Sequence, residues 1–236
     1  MIVTIHQPEH LPWLGYFNKM AKAELYVILD SVQFEKNYFQ NRNKILSQNG
    51  PQWIGIPVKN TGHMTNTIAT MKIADDAKWR IKYLNTIKMN YAKHPFFSDV
   101  MPLVESTINM DTISLCEINI AIIKKFANAL NIKPDFVKSS ELNVNGAKSD
   151  LILDICKKTK ATMYIAGPSG RDYLDMESFR NSNIDVTFND YHHPVYEQKR
   201  QKEFVPYMSS LDLFMNYGFV EGYKIIMEGN KGLSKE

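Results

Sequence analysis

Residues 1–30, MIVTIHQPEHLPWLGYFNKMAKAELYVILD, carry the pattern from which the fold is read. Ile2–Ile5 is a β-branched run of strand length that stops before Pro8, and Phe17–Ala23 reads as a short helix. Leu25–Leu29 is a second apolar run, ending at Asp30. Strands that are apolar at successive positions are covered on both faces, and two of them joined through a helix make a parallel βαβ unit. The same signal returns at Ala161–Ala166, at Ile184–Phe188 and, interrupted by Pro134, at Ile132–Lys138.

Between these runs the apolar period becomes helical. Trp79, Tyr83, Ile87 and Tyr91 recur every four residues in a helix expected from Asp75 to the His94-Pro95 stop. Further helices are expected over about Thr112–Leu130, from a Ser149 cap to about Lys158, and near Ser210–Tyr217, closed by Gly218. Ser31–Lys59, rich in aromatics and amides, reads as hairpins or an extended connection, with a turn at Asn49-Gly50-Pro51 and a strand near Trp53–Val58. The alternation predicts an α/β fold: an open, mainly parallel, Rossmann-like sheet with helices on both faces and a helical middle segment. One domain over 1–220 is expected, with 75–130 either an inserted helical unit or part of the sheet's covering. The polar residues 229–236 are expected to fray.

Charge and composition exclude several classes. Twenty-eight basic residues face 25 acidic ones, for a formal charge of +3, and no long basic run marks a nucleic-acid partner. No apolar stretch approaches the ~20 residues of a membrane helix, and the N-terminus lacks the layout of a signal peptide, so neither membrane insertion nor export is expected. Two lone cysteines, Cys116 and Cys156, fit a reducing, cytoplasmic setting.

In an open parallel sheet, ligands bind beyond the carboxyl ends of the strands. That rule selects His6-Gln7, Asp30 and the turn Gly167-Pro168-Ser169-Gly170. His6 offers a general base, and the GPSG turn with Ser169, Arg171 and Tyr173 offers donors to an anion. The segment after Asp30 adds Lys36, Asn41 and Arg42, whose planar guanidinium suits a phosphate or carboxylate. His193, Tyr196 and Gln198 form a further polar cluster after the last strand, with His193 a second candidate base. His10 and His6 flank a proline, which argues against a helical metal pair; no metal site is expected.

Taken in order, the segments Ile5–Phe17, Leu29–Lys36, Asn41–Asn43, Gly167–Leu174, His193–Gln198 and Ser209–Gly218 resemble the WbqC-like protein family. His10 stands where an aromatic residue is expected. The resemblance implies a role in bacterial O-antigen and surface-polysaccharide synthesis. It points to an N-acyl or aminoacyl transferase, glycine being one candidate group, acting on the amino group of a nucleotide-linked deoxyamino sugar. His6 or His193 would be the base, and Gln7, Asn41 and Gln198 orienting amides. The acyl donor would be either a carrier-protein thioester or a carboxylic acid activated by ATP. Two other readings stay open: a non-catalytic sugar-nucleotide-binding accessory protein, and a hydrolase with Ser169 as nucleophile.

Overall fold

The computed structural model describes residues 1–59, 65–74, 78–199 and 201–235, with backbone alone for 230–235. Six strands form one sheet: β1 (Ile2–His6), β2 (Leu25–Ile28), β5 (Asp135–Lys138), β6 (Met163–Ala166), β7 (Asp185–Tyr191) and β8 (Asn230–Lys235). Their order is β5-β2-β1-β6-β7-β8. The first five are parallel, and β8 runs antiparallel to β7. The mainly parallel sheet of the sequence reading is therefore present.

Alternating side chains of the strands feed two apolar layers. Val3, Ile5 and Val27 pack with Leu151, Ile152 and Ile155 of α5 (Lys148–Lys158) and Phe179 of α6 (Met176–Asn181). On the other face, Tyr26 and Ile28 meet Leu14, Phe17 and Met20 of α1 (Leu14–Met20), Phe126 of α4 (Leu115–Ala129) and Phe214 of α7 (Ser210–Glu228). Phe17, Phe126 and Phe214 are fully buried and contact one another through tilted and edge-on rings. Each such side chain contributes roughly 1.5–3 kcal/mol by leaving water.

The order of the strands fixes where a ligand belongs. The chain steps from β1 to β2 and on to β5, then returns through α5 to β6 on the opposite side of β1. Connections therefore leave β1 and β6 in opposite directions, and a crevice opens above their carboxyl ends. The connection from β2 to β5 also holds an antiparallel hairpin, β3 (Arg42–Ser47) and β4 (Gly50–Gly55), and the helices α2 (Lys78–Tyr91), α3 (Phe97–Ile108) and α4.

Several expectations are corrected. The hairpin turns at Gln48-Asn49, before Gly50, whose φ of 95° suits glycine, and its second strand ends earlier than Val58. Helix α3, between the two helices expected in the middle segment, is an addition to the sequence reading and holds Pro102 inside it. Ser149 does not cap α5; its Oγ accepts from the backbone N–H of Asp175 at 2.8 Å, and the cap position is Ala147. Helix α7 does not end at Gly218 but kinks there and continues to Glu228. Residues 230–235, expected to fray, add β8 to the sheet edge, where backbone pairing outweighs their polar side chains. The expected helix start at Asp75 lies outside the described residues.

Candidate active site at the strand switch point

A cavity of about 200 Å³ occupies the crevice between β1 and β6. His6 and Gln7 reach it from the end of β1, Lys19 from α1, and Gly167, Ser169 and Tyr173 from the turn after β6. Residues distant in sequence meet here because β1 and β6 are hydrogen-bonded neighbours, from Ile2↔Met163 to Thr4↔Ile165. The turn after β6 is a short 3-10 segment, Pro168–Asp172, held by a 2.9 Å bond from the Gly170 N–H to the Gly167 carbonyl.

The loop after β1 is bonded at almost every polar position. The Gln7 carbonyl lies 3.1 Å from His6 Nδ1 and accepts from the Tyr16 hydroxyl at 3.1 Å. A carbonyl only accepts, so Nδ1 carries the proton and the lone pair of the neutral ring sits on Nε2. The Gln7 side chain accepts from Gln40 Nε2 at 2.9 Å, and Asn119 donates to the carbonyls of Pro8 and Gln40. Buried His10 is bonded through both ring nitrogens, to Asn119 Oδ1 at 3.1 Å and to the Tyr83 hydroxyl at 2.6 Å. It serves as a post for the loop.

Sequence reasoning missed the charged pair beneath this loop. Glu9 is 8% exposed and Lys19 5% exposed, and Glu9 Oε1 lies 3.9 Å from His6 Nδ1. Burial pushes the Glu9 carboxyl up to about 7 against the lowering effect of Lys19. Burial likewise brings the Lys19 ammonium down to about 7, against the raising effect of Glu9. His6 is lowered to about 3, first by burial and then by the Lys19 charge, partly offset by its bond to Gln7. Its side chain keeps 26% of its surface exposed, which moderates that depression, but the ring is neutral at physiological pH. Lys19 also donates to the Ile5 carbonyl at 3.1 Å. Its only signal in the sequence is a lysine in the expected Phe17–Ala23 helix; the structure places it in α1, LGYFNKM, whose every residue is buried.

The other predicted residues lie elsewhere. Arg171 forms a two-pronged bond to Asp190 at 2.8 and 3.0 Å and covers the Phe188 ring, so its guanidinium is committed to β7 and it does not line the cavity. His193 is also absent from the lining; it sits among the rings of Tyr196, Phe204 and Tyr207, with Nδ1 2.8 Å from the Pro194 carbonyl. Tyr196 and Gln198 serve the buried carboxylate of Asp212, at 2.9 and 3.0 Å, together with the Tyr91 hydroxyl at 3.1 Å. Asp30 is buried as well, accepting from Ser139 Oγ and from the N–H and Oγ of Ser140, which ties β2 to the end of β5. Lys36 lies in an exposed turn, while Asn41 and Arg42 line a separate groove against α2. Among the described residues no histidine hydrogen-bonds the Ser169 hydroxyl, and no group of three acidic, histidine or cysteine side chains is placed to hold a metal. No described helix is long and apolar enough to cross a membrane.

Comparisons with known proteins agree with these motifs. The chain is 29% identical over 219 residues to the uncharacterized protein Rv1507c of Mycobacterium tuberculosis, covering 92% of this chain and 94% of that one. No solved structure matches. The profile of the WbqC-like protein family matches residues 7–222, a span from the loop after β1 into the second half of α7, and the chain belongs to that family.

Proposed function

We propose that the chain transfers an acyl or aminoacyl group, glycyl included, to the amino group of a nucleotide-linked deoxyamino sugar during bacterial surface-polysaccharide (O-antigen) synthesis. The observation that supports this reading is the switch-point cavity. It joins a neutral imidazole, an amine with a basicity near neutrality and a glycine turn, and the buried Glu9 carboxyl stands behind the imidazole, 3.9 Å from His6 Nδ1.

Acyl transfer to nitrogen needs a free amine, and the amino sugar arrives as an ammonium. The group that removes its proton works best with a pKa near the ambient pH. Glu9 meets that requirement better than His6, whose ring is too weak a base to hold a proton at pH 7. His6 Nε2 takes the ammonium proton as Nδ1 gives up its own toward Glu9 Oε1, 3.9 Å behind the ring, so the imidazole relays the proton without holding it and Glu9 is the proton sink. The amine nitrogen then bonds to the acyl carbon while the carbonyl electron pair moves to oxygen. Lys19 and the donors of the Gly167–Gly170 turn face that developing charge. Collapse restores the carbonyl and expels the thiolate of a carrier-protein thioester, or the phosphate side of an ATP-activated acid. The leaving group departs with the bonding pair, and the remaining ammonium proton passes to it.

The test is amide formation from nucleotide-linked amino sugars with two donor panels, amino acids plus ATP and carrier-protein thioesters. Wild-type protein forms product, while Glu9→Gln and His6→Ala lose about 100-fold or more in kcat and still bind the sugar nucleotide. Absence of product with every donor, alongside ligand-raised melting temperature, would replace this reading with that of a binding accessory protein.

A further inference from the structure

A second recess lies between the β3–β4 hairpin and α2. It measures about 730 Å³ against about 200 Å³ at the switch point. Sites for whole small molecules run to roughly 300–1,000 Å³, so the switch-point cavity holds a reacting amine and acyl carbon but not an entire sugar nucleotide.

The groove has the chemistry of a site. Asn41 lines it, is 8% exposed, and donates through Nδ2 to the Ile56 carbonyl at 3.2 Å. That bond fixes the amide's orientation and leaves Oδ1 as a buried acceptor with no partner. Arg42 Nε, also on the lining, is a buried donor with no partner. Trp53, 44% exposed, and Trp79 supply aromatic walls, and the Arg42 guanidinium lies 4.3 Å from the Trp53 ring centre. Lys82 on α2 adds an exposed cation, and no acidic residue lines the groove among the described residues. A buried acceptor, aromatic faces and cations together suit a ring that carries an N–H and an attached anion.

The groove is wired to the reactive cavity. Gln40, next to Asn41, donates to Gln7 at 2.9 Å, and Tyr83 in the groove wall bonds His10 at 2.6 Å. One loop, residues 6–11, thus backs both recesses.

We propose that this groove binds a nucleoside diphosphate: Asn41 Oδ1 accepts a base N–H, Trp53 and Trp79 flank the ring, and Arg42 and Lys82 meet the phosphates. The assignment deepens the transferase reading, on which it rests for the amino sugar attached to the diphosphate. It places the nucleotide away from the GPSG turn, on the far side of the loop 6–11 from the reactive cavity.

Calorimetric titration of the full chain with UDP, dTDP and ADP, none carrying an amino sugar, tests it. Binding of UDP or dTDP assigns the groove to the sugar nucleotide, and preference for ADP assigns it to the activating nucleotide. Lys82→Glu changes an exposed helix residue and leaves the fold intact; it is expected to weaken binding at least about tenfold and to flatten its salt dependence. Asn41→Asp, which loses the Nδ2 bond to the Ile56 carbonyl that orients the acceptor and adds a negative charge to a wall meant for an anionic ligand, weakens it too, whereas Gly167→Leu at the switch point leaves it unchanged. Absence of binding by all three nucleotides, or binding indifferent to Lys82→Glu and Asn41→Asp, overturns the assignment. Amide formation in the face of that result would show that the transferase reading stands and only the groove is misassigned.

Discussion

Replacing Asp212 by alanine is expected to cost more stability than an ordinary core polar substitution. The carboxylate is 1% exposed and accepts from Tyr91, Tyr196 and Gln198, which arrive from α2 and from the segment before α7. Removing it strands three buried donors, each worth roughly 1–3 kcal/mol when left unpaired. Hydroxyl rotation and entering water recover part of this, so Asp212→Ala is expected to lose about 3–5 kcal/mol. Against a urea dependence of about 3 kcal/mol/M for a chain of this size, the midpoint falls by about 1–2 M. Asp212→Asn keeps one acceptor but turns an amide N–H toward Gln198 or a tyrosine, and loses about 1–3 kcal/mol. The pH dependence has a definite sign. Burial holds the folded-state carboxyl above its ordinary value, so the folded form retains the proton where the unfolded chain has released it. Stability due to this group therefore declines as pH rises from the ordinary carboxylate range through the folded-state value, and the gap between wild type and Asp212→Ala narrows across that window. A midpoint shift for Asp212→Ala below about 0.3 M would refute the view that this carboxylate is the hub joining α2, α7 and the Tyr196–Gln198 segment.

Two other perturbations have clear directions. Gly218 sits at φ 69°, ψ −169°, and a Cβ there would stand 2.7 Å from the Phe96 ring, so Gly218→Ala should cost about 2–4 kcal/mol and lower Tm by about 5–15 °C; an unchanged thermal scan would show that the α7 kink is not required. Lys19→Met removes the cation that holds Glu9 down, so the Glu9 carboxyl, followed by infrared or NMR titration, should move above its value of about 7. Because the folded-state value already exceeds the ordinary one, stability from protonated Glu9 is lost as pH rises through it, and in the variant that loss moves to higher pH. A Glu9 midpoint that stays put or falls in Lys19→Met would separate the two groups.

The sheet was legible because buried parallel strands are written as local apolar runs, and β1, β2, β6 and β7 each carry one. The switch-point position of His6 and the GPSG turn followed from the same signal, since both stand directly after such runs. Side-chain commitments were not legible, because each depends on a partner far along the chain. Nothing near Arg171 in sequence announces Asp190 across the turn, and nothing near Asp30 announces Ser139 and Ser140, more than 100 residues away. Glu9 and Lys19 were passed over because charged residues usually face water; only the assembled layers show α1 enclosed between the sheet, α4 and α7. Helix α3 holds Pro102, and the length of α7 was hidden by Gly218, residues that ordinarily end helices and here sit within them.

The reactive centre itself is best tested by closing its mouth. Gly167 lines the switch-point cavity in an extended conformation, φ −77° and ψ 166°, and an added Cβ meets nothing within 4 Å, so Gly167→Leu adds bulk at the cavity's rim without straining the fold. The measurement is the rate of amide formation on a nucleotide-linked amino sugar by wild type and Gly167→Leu at matched Tm. The account predicts product from wild type and a loss of at least about 100-fold in the variant, in line with losing a positioned catalytic group. Equal rates in the two proteins, or a wild type inert toward every amino sugar and donor, would contradict it.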